Sequence, residues 1–362
     1  MIKFSLKVIF ITTLLQFLAC DKKPIDSNEL TIENEPYYKY AWHFKQSDTL
    51  VEKFNISPKS HINIESAWKI TKGEGVKVAV IDNYFEISHQ DLKENIIDFY
   101  SIDNPSGYIP NRTDDASHGL SVAGFIASPI NATGLVGAAP KAKLILIQQL
   151  QDNDAHIIKA FEYAKNAGAK VINCSWGTEN VSQIVAQKIK ELKDGGITVI
   201  FASGNSPLGG YSLDAEQIND ESELASVIGV GASNEYNDIA FYSNYGKNID
   251  LLAPGGDTNI LGILAIDDSG SFGNTLQRGL SNNYSFIDGT SFAAPIVAGV
   301  VALMISVNPN LTPDEIRDIL IQTADKIGDV SYDANGFNEY RAYGKIDAKK
   351  AVEVAKSYLS QQ

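Results

Sequence analysis

The chain has 362 residues, with 30 Lys and Arg against 44 Asp and Glu, for a formal charge of −14. A cationic footprint for nucleic acid is missing, while an apolar content of 44% is ample for a large core. Five histidines (His43, His61, His89, His118, His156) and two cysteines (Cys20, Cys174) leave little for a zinc-type centre and allow at most one disulfide.

Residues 1–20 read as an export leader: Lys3 and Lys7 supply a positive start, and 8–19 is an apolar run too short to span a bilayer comfortably. It ends in Phe17-Leu18-Ala19-Cys20, which resembles the lipobox of bacterial lipoproteins, whose cysteine is lipidated and becomes the mature N-terminus. Phe17 stands where leucine is usual. The alternative is an ordinary cleaved signal peptide with an incidental cysteine, and both readings export the protein. With Cys20 lipidated the expected location is the bacterial cell envelope, on a membrane.

Residues 21–36 are polar and aperiodic and read as a tether. The aromatic-rich stretch 37–44 is expected to lie against the surface of the domain. No repeat or second linker follows, which predicts one domain over 37–362; the chain is expected to be a monomer.

Within that domain, apolar runs rich in β-branched residues recur at 76–81, 144–147, 171–172, 199–201 and 227–230, as expected for strands buried on both faces. Helix-like segments lie between them at 118–126, 157–167 and 181–192. The alternation predicts an α/β fold with a parallel sheet and helices on both faces. Residues 291–307 form an apolar helix interrupted by Pro295, too short for a bilayer and so a core helix. Thr312-Pro313-Asp314-Glu315 is a helix start with a capping box, and 345–359 reads as a last amphipathic surface helix.

Several polar residues sit where this pattern turns from strand to helix. Gly289-Thr290-Ser291 opens the apolar helix, so Ser291 lies at a helix N-terminus, as a plain cap or as a nucleophile. His118 opens a small-residue helix and could serve as a base. Asp82 ends the run 76–81, at the carboxyl edge where open α/β sheets bind ligands. Asn205, presented by Gly204 at another strand end, could donate to an oxyanion. Taken singly, each has a structural explanation. Together, in the order Asp, His, Ser, they form a serine-hydrolase set.

From about Trp68 to the C-terminal helix the chain resembles the subtilisin-like serine proteases (subtilases). The matching segments are Val76 to Asp82, His118 to Ala127, Gly137-Ala138-Ala139-Pro140, Ile172 to Gly177, Ala202 to Asn205, Phe241 to Gly246, Leu252 to Gly255, and Gly289 to Pro295. The resemblance implies a subtilisin-like three-layer fold with a central, mostly parallel sheet. It implies peptide-bond hydrolysis through an acyl-enzyme on Ser291, with His118 as general base, Asp82 orienting it and Asn205 in the oxyanion hole. Ser175, Trp176 and Gly177 match the strand that pairs with the substrate backbone and walls the S1 pocket. The substrate would then be extended peptide or unfolded protein.

Departures from the family pattern are Asn83-Tyr84 after Asp82, where Thr-Gly is usual, and Leu120-Ser121 after His118-Gly119, where Thr-His is usual. They predict an active enzyme with modified substrate contacts. The alternative is a catalytically silent subtilase-fold peptide-binding lipoprotein. The resemblance also implies a structural Ca²⁺ site at Asp91, nine residues after Asp82, with Asn131 in the loop 129–135; an unmetallated loop is the other reading. The chemistry itself needs no cofactor. Relatives commonly carry a folded prodomain, and only the short tether stands at that place here. Cys174 is expected to be a structural thiol. The pocket floor is expected from 206–223, whose Asp214, Glu216, Asp220, Glu221 and Glu223 could face the pocket or solvent, with solvent expected for most of them.

Overall fold

The apolar runs become the strands of one sheet. The computed structural model describes residues 30–105, 118–178, 180–206, 220–270, 273 and 280–358. Strands β1 (Lys77–Asp82), β2 (Ile96–Ser101), β3 (Lys143–Gln148), β4 (Val171–Cys174), β5 (Thr198–Ala202), β6 (Ile228–Ser233) and β7 (Leu251–Pro254) lie in the order β2-β3-β1-β4-β5-β6-β7. Every neighbouring pair is parallel. A separate antiparallel pair, β8 (Ile263–Ile266) and β9 (Tyr284–Ile287), lies beside it in the fold.

Parallel neighbours need crossovers, and among the described residues helices supply those from β2 to β3, from β3 to β4 and from β4 to β5. Two short helices, α1 (Asp48–Phe54) and α2 (Ile64–Trp68), precede the sheet; α3 (His118–Ala127), α4 (Asp154–Asn166) and α5 (Gln183–Asp194) connect strands. Helices α6 (Thr290–Val307), α7 (Pro313–Thr323) and α8 (Ala348–Ser357) follow it.

Side-chain alternation along the strands divides the core in two. Val78 and Val80 pack in one cluster with Val122 and Ile126 of α3 and Val297 and Val301 of α6. Ala79 and Ile81 pack in the other with Ile157 and Phe161 of α4 and Val185 and Ile189 of α5. Each fully buried side chain of this size contributes about 1.5–3 kcal/mol, so both faces anchor the sheet.

Helix ends follow local chemistry. Thr312 and Glu315 form the expected capping box on α7, and Asn153, Ser182 and Asp347 accept from backbone N–H groups at the starts of α4, α5 and α8. Helix α6 is not too short for a bilayer as expected, since its 18 residues are long and apolar enough to cross one; it is a core helix because it is buried within the protein.

Two expectations need correction. The expected tether does not run free to residue 36: Glu35 is 4% exposed and its carboxylate takes the N–H groups of Asn131, Ala132, Thr133 and Gly134, which docks the end of this segment on the domain. The stretch 37–44 is not laid on the surface. Tyr38, Trp42 and Phe44 are core residues, and Trp42 Nε1–H finds the Gly262 carbonyl at 2.8 Å, which removes the penalty of burying the indole N–H. The leader and Cys20 lie outside the described residues.

Candidate active site

Strands β1, β4 and β5 are adjacent, and their carboxyl ends carry Asp82, Ser175 and Asn205. Helix α3 starts at His118 and packs against α6. Its approach to β1 is close: a Cβ on Gly119 would stand 2.6 Å from the Tyr84 carbonyl oxygen. That contact sets His118 over Asp82. His118 Nδ1 lies 2.8 Å from Asp82 Oδ1, which also accepts the Asn83 N–H at 2.8 Å.

Asp82 is 4% exposed, whereas the imidazole is 28% exposed and within reach of a ligand. A buried carboxylate facing Nδ1 favours the tautomer protonated there, which leaves Nε2 to act as a base. Leu120 and Ser121, the residues expected to alter substrate contacts, are buried instead. Ser121 Oγ–H donates to the Ile266 carbonyl at 2.7 Å. Of the four departing residues, Asn83 and Tyr84 are half-exposed at this edge.

Ser291 is the second residue of α6, not its cap. The cap is Gly289, held at φ 148° and ψ 154°, a region that a residue with a Cβ avoids. Its N–H donates to the Tyr242 hydroxyl at 2.9 Å, and Tyr242 in turn donates to the Gly256 carbonyl at 2.8 Å. The tyrosine therefore pins the turn that presents Ser291.

Ser291 Oγ–H donates to the Ser175 carbonyl at 3.0 Å, and Ser175 Oγ–H donates to the Ser291 carbonyl at 2.6 Å. The second bond has a local cause. Pro295 lies four residues on, where an N–H would otherwise bond the Ser291 carbonyl, and proline has none. Pro295 thus stands past the first turn, and Ser175 satisfies the acceptor it frees.

Asn205 is exposed, but its side chain is fixed. Its Oδ1 accepts the Thr290 N–H at 2.9 Å and the Thr290 hydroxyl at 3.0 Å. Two donors on one atom settle which end of the amide is oxygen, so Nδ2–H₂ is the donor end. Ser291 N–H is an orphan donor of the first helical turn. The site therefore offers a hydroxyl, an imidazole, a buried carboxylate and two N–H donors on one rim.

Ser175, Trp176 and Gly177 continue β4 beyond the sheet. The Trp176 side chain turns into the core, with Nε1–H on the Ile81 carbonyl at 2.8 Å and its ring edge-on to Phe201. Glu221 and Glu223, expected to face solvent, are buried. Asp214 and Glu216 lie outside the described residues. Cys174 is buried in β4, and burial pushes its thiol well above the usual range, consistent with an inert structural role.

Among the described residues no group of three or more His, Cys, Asp or Glu is arranged to hold a metal ion. Asp91 is nevertheless fully buried, with Oδ2 on the Leu135 N–H at 2.7 Å and Oδ1 without a partner. Burial, with the negative charge of Glu35 adding to it, raises its carboxyl well above the ordinary range. Such an oxygen fits a hard cation. The Asn131 side-chain oxygen is occupied by the Thr133 N–H at 3.0 Å, and its amide nitrogen donates to the Gln90 carbonyl.

The subtilase family model matches residues 73–345. The chain is 33% identical over 337 residues to a thermophilic serine proteinase of a Bacillus species, covering 91% of this chain and 75% of that one. It is 34% identical over 269 residues to subtilisin DY of Bacillus licheniformis, covering 73% and 89%. A calcium-dependent protease of Trichormus variabilis is 31% identical over 350 residues, covering 88% of this chain and 51% of its own length. Among solved structures, a protease of Pseudoalteromonas arctica superposes with a TM-score of 0.71 at 28% identity, covering 89% and 99%. The chain belongs to the subtilase family of serine endopeptidases.

Proposed function

We propose that this serine endopeptidase cuts peptide bonds through an acyl-enzyme on Ser291. In this reading the Ser291 hydroxyl turns from the Ser175 carbonyl toward His118 and gives its proton to Nε2 as Oγ attacks the scissile carbonyl carbon. Asp82 stabilises the imidazolium and keeps the ring oriented. The carbonyl oxygen becomes an oxyanion, met by Asn205 Nδ2–H and the Ser291 N–H. His118 then protonates the leaving amine as the C–N bond breaks. Water, deprotonated by the same imidazole, releases the acyl group and restores Ser291.

The observation that carries this reading is the 2.8 Å contact of His118 Nδ1 with a buried Asp82, on the same rim as Ser291 and Asn205. A fluorophosphonate should label Ser291, and Ser291→Ala should abolish peptide cleavage. Full turnover in that variant would overturn the assignment. Peptide binding by wild type without cleavage or labelling would instead establish a silent peptide-binding protein.

Two finer features belong to the proposal. Export with a lipid anchor on Cys20 rests on the leader's composition; Cys20→Ser should move the protein from the detergent to the aqueous phase. Calcium is supported by the unpartnered Asp91 oxygen and by relatives named calcium-dependent proteases. Asp91 and Asn131 would hold it, and a cation there would neutralise the negative charge that Asp91 and Glu35 place together. Chelation should lower the unfolding temperature of wild type and leave that of Asp91→Asn unmoved; an equal response in both would remove the site.

A further inference from the structure

Strand β4 is apolar where it crosses the sheet, except at Asn173. This residue is fully buried, in register with Val80 of β1 and Ile200 of β5. Val80 and Ile200 belong to the cluster that packs against α6, so Asn173 points to the face on which Ser291 starts that helix. Ser175, two residues on, shares the face.

Asn173 Nδ2–H donates to Ser175 Oγ at 2.9 Å, and Ser175 Oγ–H donates to the Ser291 carbonyl at 2.6 Å. A hydroxyl has one proton and a carbonyl can only accept, so the Ser175 proton is committed to Ser291. Ser175 Oγ is then an acceptor toward Asn173, which fixes the amide with its nitrogen end forward. At the other end, Asn173 Oδ1 has no hydrogen-bond partner among the described residues. Burying an oxygen in that state costs stability, so packing alone would be better served by leucine, which has nearly the same size. What the asparagine provides is the donor.

At rest, residue 291 is tied to β4 twice: Ser291 Oγ–H bonds the Ser175 carbonyl at 3.0 Å, and Ser175 Oγ–H bonds the Ser291 carbonyl. Turning the nucleophile toward His118 breaks the first bond. The second remains, and Pro295 leaves no helical N–H to replace it. We propose that Asn173 is a positioning residue for the nucleophile: it holds the Ser175 hydroxyl in the orientation that keeps the Ser291 carbonyl on β4 while Ser291 Oγ attacks. The proposal rests on the peptidase reading. Asn173 acts through Ser175 and contributes to turnover rather than to substrate binding.

The test compares Asn173→Leu with wild type in the full chain, each with and without Ser175→Ala. Asn173→Leu should lower kcat on a peptide substrate about fivefold, as for the loss of one neutral hydrogen bond, with KM kept within about twofold. Fluorophosphonate labelling of Ser291, which needs the nucleophile but no peptide, should slow by the same factor. In the Ser175→Ala background Asn173→Leu should change neither rate, because the hydroxyl it orients is gone. If Asn173→Leu does not fold, Asn173→Ala takes its place with the same kinetic expectations. Unchanged kcat and labelling in the variant that folds overturn the proposal, and a lower urea midpoint beside them makes Asn173 structural only. An equal loss of rate with and without the Ser175 hydroxyl also overturns it, as does a rise in KM with kcat kept. In each of these cases wild type still cuts peptide and labels at Ser291, so the positioning role alone fails. A wild type that neither cuts nor labels removes the peptidase reading and the positioning role together.

Discussion

Ser175 and Pro295 should be energetically coupled although they are far apart in sequence. Pro295 removes the N–H that would close the helical bond to the Ser291 carbonyl, and Ser175 Oγ–H takes that carbonyl at 2.6 Å. Ser175→Ala leaves it without this donor. An unmade bond to a buried acceptor costs about 1–3 kcal/mol, and Ser291 is only half-buried, so about 1–2 kcal/mol is expected. Pro295→Ala returns a backbone N–H in register with the same carbonyl. In that background Ser175→Ala should cost about 1 kcal/mol less than it does alone.

The assay is urea unfolding of the four proteins of the cycle, each also carrying Ser291→Ala to prevent self-digestion while keeping the main-chain carbonyl. A coupling of about 1 kcal/mol supports the account. Strict additivity, within about 0.3 kcal/mol, refutes it, since the two sites would then share no acceptor.

Asn205→Ala should lower kcat by about 10²–10³ with little change in KM, as expected for a donor that acts only on the developing oxyanion; an equal rise in KM would instead make Asn205 a ground-state contact. Tyr242→Phe removes the hydroxyl from the Gly289 N–H and the Gly256 carbonyl but keeps the ring. It should slow fluorophosphonate labelling of Ser291 and lower kcat by about tenfold, since one such bond contributes about 1 kcal/mol; a fall in stability with labelling unchanged would show the tyrosine to be structural only. Burial raises the Glu235 carboxyl from 4.5 to about 7. The folded state therefore holds a proton that the unfolded chain releases, so its contribution is complete below about pH 4.5 and is lost as pH rises to about 7. Glu235→Gln should flatten the dependence of stability on pH in that window, read from urea midpoints in the Ser291→Ala background; an unchanged slope would remove Glu235 as its source.

The chain's periodicity exposed the strands that are apolar on both faces, because burial on two sides forbids polar residues. Strand β2 escaped because Ile96–Ser101 is a half-exposed edge with Asp98 and Ser101 in it, whereas β7, β8 and β9 are four-residue strands outside the strand–helix alternation that marked the equally short β4. The rim residues Asp82, His118, Asn205 and Ser291 were visible because each closes or opens a regular element. Ser175 was seen as part of a binding strand, but its bond to the Ser291 carbonyl was not, because the cause lies at Pro295. Tyr242 lies within the matching segment Phe241 to Gly246, and nothing local announces that its hydroxyl reaches Gly289.

Acidity misled most. A charge of −14 suggests a solvated surface, and Glu35 and Glu221 were read as tether and solvent-facing residues. Both instead turn inward and accept backbone N–H groups: Glu35 from the loop 131–134, Glu221 from Thr178. Glu235 does the same for Asp257 and Gly262. An N–H outside a helix or ladder needs an acceptor, and a carboxylate with two oxygens can serve several at once. The carboxyls nevertheless remain buried, and for Glu35, Glu221 and Glu235 desolvation outweighs the donors and raises proton affinity. Irregular backbone around the sheet is thus held by groups whose charge the interior disfavours. Hydropathy scores such residues as exterior, and only the position of the unpaired N–H groups, a property of the folded chain, tells where they go.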